Sequence, residues 1–339
     1  MTQPIPAFAL SRRSLLGRAM LVPGGLVLPG CVTAPAPAVD SAATTTIYSP
    51  APATTSLHKL YTQLASASED FRVLGSLEVL PVALPESINN FANMDPSLRQ
   101  YHWPIVTTID LQLARAGTGP DWHGYPRVNS DLKLVCTFTD TAVGISMWGE
   151  PVTDPEQLRG KRIAAPPRPS AVRLMTELLL RDGWGILDDV TLVDMMPPAV
   201  LPARAAGKVD GTSWNIVGPT PNGHRPSLPS KPDDPLTYVP VGQEAVDRIN
   251  AANPFDLALS HALEGGPALL SLAQGLAVWD EVDPAKVGAM LEYIEANGAS
   301  IPGFAANATE MAAWPGLTAD MLSPVAKAFY RARGVKIPG

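Results

Sequence analysis

Apolar and polar positions follow two rhythms along residues 161–218. KRIAAP (161–166), DVTLVDM (189–195) and GTSWNIVG (211–218) are short runs that read as strands, the last two rich in β-branched residues. Between them, SAVRLMTELLLRDG sets Val172, Met175, Leu178 and Leu179 on one helical face and stops at Gly183. PPAVLPARAAGKVD starts on prolines and ends near Gly207. Strand, helix, strand, helix, strand in this order predicts a parallel sheet covered by helices.

The same reading extends both ways. TTTIY (44–48) predicts a strand, followed by a proline-interrupted loop and a helix with Leu57, Leu60, Tyr61 and Leu64 in one stripe. Thr54, Thr55 or Ser56 caps that helix, whose free N–H groups suit an anion. FRVLGSLEVLP holds a strand, and IVTTIDLQLARAG a strand running into a helix or turn. LKLVCTF (132–138) and VGISMWG (143–149) are strands, and PEQLRG is a short helix. Residues 219–237 read as a Pro/Gly/Ser-rich surface segment, GQEAVDRINAAN as a helix and LLSLAQGLAVW as one strand. Asp283 and Ser323, each followed by proline, start the last two helices; the first carries a core stripe of Val287, Met290, Leu291 and Ile294.

The amino-terminal stretch breaks both rhythms. Arg12–Arg13 precede an apolar run, Ala19–Leu28, that closes on Leu28-Pro29-Gly30-Cys31. This is the layout of an export signal of the twin-arginine type. The run falls short of the roughly 18 residues a spanning helix needs. Its close is similar to a lipoprotein box, which makes Cys31 a candidate lipid anchor; Pro29 stands where that box has a small residue. Residues 1–31 are therefore read as signal and 32–43 as a Pro/Ala-rich spacer, with a periplasmic, membrane-tethered body.

The net charge of −7 argues against a nucleic-acid partner. Besides Cys31 the chain has only Cys136, read as a buried small hydrophobe, so no internal disulfide is expected. His58, His102, His123, His224 and His261 form no i, i+4 pair and no HExxH, so neither metal nor cofactor is expected. Ser56-Leu-His-Lys59 matches the SxxK of serine hydrolases at a helix start, but its companion motifs are missing. A capping serine and an exposed lysine account for it, and no enzyme activity is expected.

LVCTFTDTAVGISMWGEPVTDPEQLRGKRIAAPPRPSAVRLMTELLLRDG, then DVTLVDMMPPAVLPARAAGKVDGTSWNIVG, then GQEAVDRINAANPFD occur in order. This succession resembles the TAXI family of solute-binding proteins, the extracytoplasmic receptors of some TRAP transporters. LRGKRIA and GKVDGTSW carry the resemblance most specifically. It implies a two-lobed periplasmic-binding-protein fold of class II, α/β, with mixed sheets flanked by helices and a ligand cleft between the lobes. Lobe one would be 44–140 with 255–339, and lobe two 141–254. It implies capture of a small molecule by hinge closure and delivery to TRAP-type membrane subunits, or ligand sensing with the same fold and no transport.

Carried over position by position, the resemblance places Tyr48, Ser49, Thr54 and Thr55 in the first strand-to-helix loop, and Thr107 and Thr108 at a polar pair. Arg168, Ser170 and Ala171 lie before the second-lobe helix, and Trp214, Asn215 and Gly218 after the Asp-Gly turn. Where the family loop is glycine-rich, this chain has APPRPSA, a stiffer backbone with fewer free N–H groups. LSHALEGG likewise replaces the family's IPaGtY segment. Arg168 beside a helix start combines a planar cation with a dipole end, which suits a ligand of the carboxylate or amino-acid class. A solvated loop arginine is the alternative.

Overall fold

The computed structural model describes residues 44–49, 58, 62, 77–82, 84–139, 141–217, 235–261, 263, 266–300 and 304–338. The twin-arginine stretch, Cys31, the spacer, Thr54, Thr55, the SxxK motif apart from His58, and Gly218 lie outside the described residues.

The strands form two mixed sheets, and helices flank both. β1 (Thr45–Ser49), β2 (Leu77–Pro81), β3 (His102–Thr107), β4 (Leu132–Thr139) and β12 (Gln274–Trp279) make the first, in the order β2-β1-β3-β12-β4. β1 is parallel to β2 and β3, while β12 is antiparallel to β3 and β4. The second sheet contains β5 (Thr141–Trp148), β6 (Arg162–Ala165), β7 (Thr191–Asp194), β8 (Gly211–Val217), β9 (Leu236–Tyr238), β10 (Leu259–Ser260) and β11 (Leu269–Ser271). Its order is β10-β11-β5-β8-β6-β7, with β9 also on β5. β6 is parallel to β7 and β8; β5 runs against β8, β9 and β11. This is the α/β architecture of two mixed sheets that the alternating rhythm and the resemblance imply.

The chain passes between the sheets at two places. One residue separates β4 from β5, and Leu272 and Ala273 separate β11 from β12. The passages run side by side: Leu272 N–H donates to the Thr141 carbonyl at 2.6 Å, and Thr108 N–H to the Ala273 carbonyl at 3.0 Å. LLSLAQGLAVW is thus two strands in different sheets rather than the single strand read from the sequence. Residues 259–271, grouped by sequence with the first lobe, lend β10 and β11 to the second sheet.

One apolar cluster spans both sheets, from Ile47, Ile105 and Phe138 to Leu174, Ile216 and Val246. Each fully buried side chain of this size contributes about 1.5–3 kcal/mol. Pro284–Asn297 is a helix capped by Asp283, and its stripe of Val287, Met290, Leu291 and Ile294 is buried as predicted. Sequence reading passed over the helix Leu84–Ala92, which carries two asparagines and a proline in its first turn. Its apolar positions 84, 88, 91 and 92 nevertheless share one buried face.

Gly275 lets β12 meet β4 at an irregular register step. A Cβ there would lie 2.4 Å from the Cys136 carbonyl oxygen and 2.9 Å from the Trp314 ring. Backbone cannot retreat as a side chain does, so Gly275→Ala is expected to cost about 1–3 kcal/mol. Urea unfolding measures it; an unchanged midpoint would contradict the account.

Candidate functional site

Strand direction brings two sets of carboxyl ends together. Thr107 and Thr139 both pair with Gln274, so β3 and β4 finish at the same edge of the first sheet. Thr141 pairs with Val217, so β5 starts where β8 finishes. The passage from Thr139 to Thr141 therefore joins the carboxyl end of one sheet to the carboxyl end of the other. Each sheet also has a switch point there. The chain goes outward from β1 to β2 and returns on the other side as β3, and it does the same from β6 to β7 and β8. Crevices open at such points.

On the first-sheet side, Thr107 ends β3 and caps the helix Thr108–Ala116. Its hydroxyl accepts from Asp110 N–H at 3.2 Å and donates to the Asp110 carboxylate. The Thr-x-x-Asp spacing is a capping-box signal legible in the sequence. Asp110 is fully buried and also meets His123 Nε2 at 2.6 Å and the Tyr125 hydroxyl at 2.5 Å. Burial pushes the Asp110 carboxyl up, but the His123 ring and hydrogen bonds from His123, Thr107 and Tyr125 outweigh it and hold the group below the usual carboxylate range. Burial, then the Asp110 charge, drives the Tyr125 phenol well above its usual range. Thr108 gives both N–H and hydroxyl to the Ala273 carbonyl, so the Thr107–Thr108 pair anchors a crossing strand.

Tyr48 sits half-buried, its ring 4.5 Å from Phe91 and its hydroxyl 2.9 Å from His102 Nδ1. Burial raises that phenol to about 12 and lowers His102. Its hydroxyl is directed toward the start of β3, away from the crevice edge. Ser49 is buried at the end of β1.

On the second-sheet side, Ser170 caps the helix Ala171–Leu178 by accepting from Arg173 N–H. Arg168 precedes it, after a loop whose Arg168–Pro169 bond is cis. The Arg168 guanidinium grips Glu177 through Nε at 3.0 Å and Nη2 at 2.7 Å to each oxygen. Arg173 Nε adds a bond to the same carboxylate at 2.6 Å, and its Nη1 reaches Asp194 at 2.5 Å. Two arginines and two acids leave this network without net charge. The Glu177 and Arg173 side chains are 6% and 9% exposed, whereas Arg168 keeps 47%, so Arg168 is its accessible cation. The helix is tied to β8 by Thr176 and Ser213, hydroxyl to hydroxyl at 2.6 Å.

Residues alternate in direction along a strand. Asn215 therefore shares the helix-covered face of β8 with Ser213, two positions nearer the crevice, and Trp214 takes the opposite face. Arg168, Ser170, Ala171 and Asn215 thus gather around one helix start, while Thr107 and Thr108 lie at the end of the other sheet. Trp214 and Tyr48 point elsewhere. Sequence reading missed Glu177 and Arg173, which hold Arg168, and Asp110, which holds the opposing helix start.

Among the described residues no group of three His, Cys, Asp or Glu side chains could hold a metal ion. None of their helices is long and apolar enough to cross a membrane. Burial pushes the Cys136 thiol far up, consistent with a small core hydrophobe. A groove of about 180 Å³ also opens between Leu113, Pro120, Leu174, Leu178 and Phe255.

Residues 131–225 match the family described as NMT1/THI5 like. No curated protein matches the sequence. Similar solved structures include a TctC solute-binding protein from Polaromonas, 15% identical with a TM-score of 0.44 over 85% of this chain and 96% of that one. MatC from Rhodopseudomonas palustris, solved with malate, is 14% identical with a TM-score of 0.49 over 85% of this chain and 95% of that one. The periplasmic aliphatic sulphonate binding protein SsuA from Escherichia coli is 13% identical with a TM-score of 0.38 over 85% and 82%.

Removing the Asp110 carboxylate leaves the buried Thr107, His123 and Tyr125 groups without their acceptor, so Asp110→Ala is expected to lose about 3 kcal/mol at neutral pH. A depressed carboxyl stabilises above its unfolded pKa, near 3.9, and loses that contribution as pH falls through its folded value. The stability gap between wild type and variant, followed by urea unfolding, is therefore expected to shrink as pH falls below about 4. A gap independent of pH would refute the charged state of Asp110.

Proposed function

We propose that the chain is an extracytoplasmic solute receptor that takes a small carboxylate-bearing molecule into the crevice between its two sheets and presents it to TRAP-type membrane subunits. One observation carries the reading: both crossing strands join carboxyl end to carboxyl end, so two switch-point crevices open onto one space, with Arg168 at its edge. The match of residues 131–225 to the NMT1/THI5-like family and the TAXI-like motifs support it.

The division into two lobes hinged at 139–141 and 271–274 belongs to this proposal. Two short, hydrogen-bonded passages restrict the motion to opening and closing of one lobe against the other. Arg168 supplies the planar fork. Glu177 fixes its Nε side, which leaves the Nη1 side for the ligand, and the start of the Ala171–Leu178 helix adds a partial positive charge. Thr107, Thr108, Ser49, Ser170 and Asn215 form the polar walls, with the Ala171 backbone beside Ser170; Thr54, Thr55 and Gly218 complete the set drawn from the motifs, and Tyr48 and Trp214, which point elsewhere, are left out of it. Twin-arginine export and a lipid on Cys31 would set this body at the membrane surface, each buried CH₂ of the lipid contributing about 0.8 kcal/mol.

A ligand present at 100 times its Kd stabilises the folded state by about 2.7 kcal/mol, so a thermal-shift screen of carboxylates against the wild type should yield hits. Arg168→Ala is expected to weaken any such hit roughly tenfold or more. Hits confined to uncharged compounds, or indifference to Arg168→Ala, would refute the carboxylate reading. Mass spectrometry of the exported protein is expected to find acyl-modified Cys31 as its first residue; an unmodified start would remove the tether.

A further inference from the structure

We infer that Trp122 is the first sheet's contribution to the carboxylate site: it holds the guanidinium of Arg168 from across the crevice and couples closure to anion capture. The inference rests on the receptor reading above.

The Arg168 guanidinium carbon lies 4.5 Å from the centre of the Trp122 ring. The two residues come from different halves. Trp122 sits on the single turn Asp121–His123, between the Thr108–Ala116 helix and β4, both of the first sheet. Arg168 lies between β6 and its helix, on the second. The arginine therefore has three distinct surfaces in use or on offer. Its Nε–Nη2 edge is closed by Glu177, its flat face is covered by Trp122, and its Nη1 makes no hydrogen bond among the described residues. Face and edge do not compete, so a carboxylate can take Nη1 while the indole stays in place.

The ring is rigidly presented. His123 follows it in sequence, touches it edge-on at 5.5 Å and is pinned to the buried Asp110. Gly119 holds the same loop tight at φ +130°, where an added Cβ would lie 2.7 Å from the His123 carbonyl oxygen. The ring position is thus set from the end of β3 through Asp110. An open molecule separates Trp122 from Arg168; a closed one joins them, and a ligand on Arg168 is then held in a site assembled by both halves.

The test measures binding of acetate, succinate and benzoate by calorimetry to the wild type, Trp122→Ala, Trp122→Phe, Arg168→Ala and the Trp122→Ala/Arg168→Ala double variant. Trp122→Ala is expected to weaken the best probe about fivefold, and Trp122→Phe, which keeps a ring, by less. In the Arg168→Ala background the tryptophan change is expected to cost nothing further. Small-angle scattering is expected to record less compaction on probe binding for Trp122→Ala than for wild type. If Arg168→Ala weakens binding and neither tryptophan variant does, this inference fails and the receptor reading stands. If the two losses simply add, the coupling is refuted. If the wild type binds none of the probes, or Arg168→Ala binds as wild type does, the carboxylate reading fails and takes this inference with it.

Discussion

Two short antiparallel passages between the sheets determine most of what this molecule can do. With one residue between β4 and β5 and two between β11 and β12, the sheets cannot choose their mutual direction. Hydrogen bonds from Leu272 to Thr141 and from Thr108 to Ala273 lock the passages to each other and to the start of the helix after β3. Parallel strands on both sides then finish at a common edge. The helices that follow β3 and β6 begin there, and their unsatisfied N–H groups collect in one region.

What fills those helix starts differs between the halves. The first carries its own acid: Asp110, in the first turn, is buried and held by the side chains of Thr107, His123 and Tyr125. The second carries a serine cap and an arginine. Arg168 is not a bare cation, because Glu177 neutralises one edge of it, and Arg173 in turn bridges Glu177 and Asp194. Such a network costs desolvation, and its return is orientation. The loop that carries Arg168 has three prolines and no glycine, so its backbone has little freedom to reshape around a ligand. On the proposed reading, recognition falls to a preset side chain instead of an adaptable chain of N–H groups.

Local rules carried the sequence reading far. The βαβαβ rhythm of 161–218, the Asp283-Pro284 and Ser323-Pro324 helix starts and the apolar stripe of the 284–297 helix all appear where periodicity and capping place them. Long-range facts escaped it. Leu269–Trp279 is mostly apolar and buried at every position, Ser271 and Gln274 included, so its pattern does not mark the change of sheet at Leu272–Ala273. The helix Leu84–Ala92 was hidden by its proline and asparagines, although its buried positions keep a helical spacing. Glu177 lies nine positions beyond Arg168, outside any pairing rule for a helix surface, and Trp122 meets Arg168 only through the tertiary fold. Arg168 itself stood out because a lone arginine in a proline loop before a helix is a local feature.

The most direct measurement is a crystal structure of the protein with a carboxylate that stabilises it. The account predicts ligand oxygens within hydrogen-bond reach of Arg168, with atoms from the ends of β1 and β3 on the opposite wall. A carboxylate lodged instead in the groove between Leu113, Leu178 and Phe255, with the strand-end crevice empty, would contradict it.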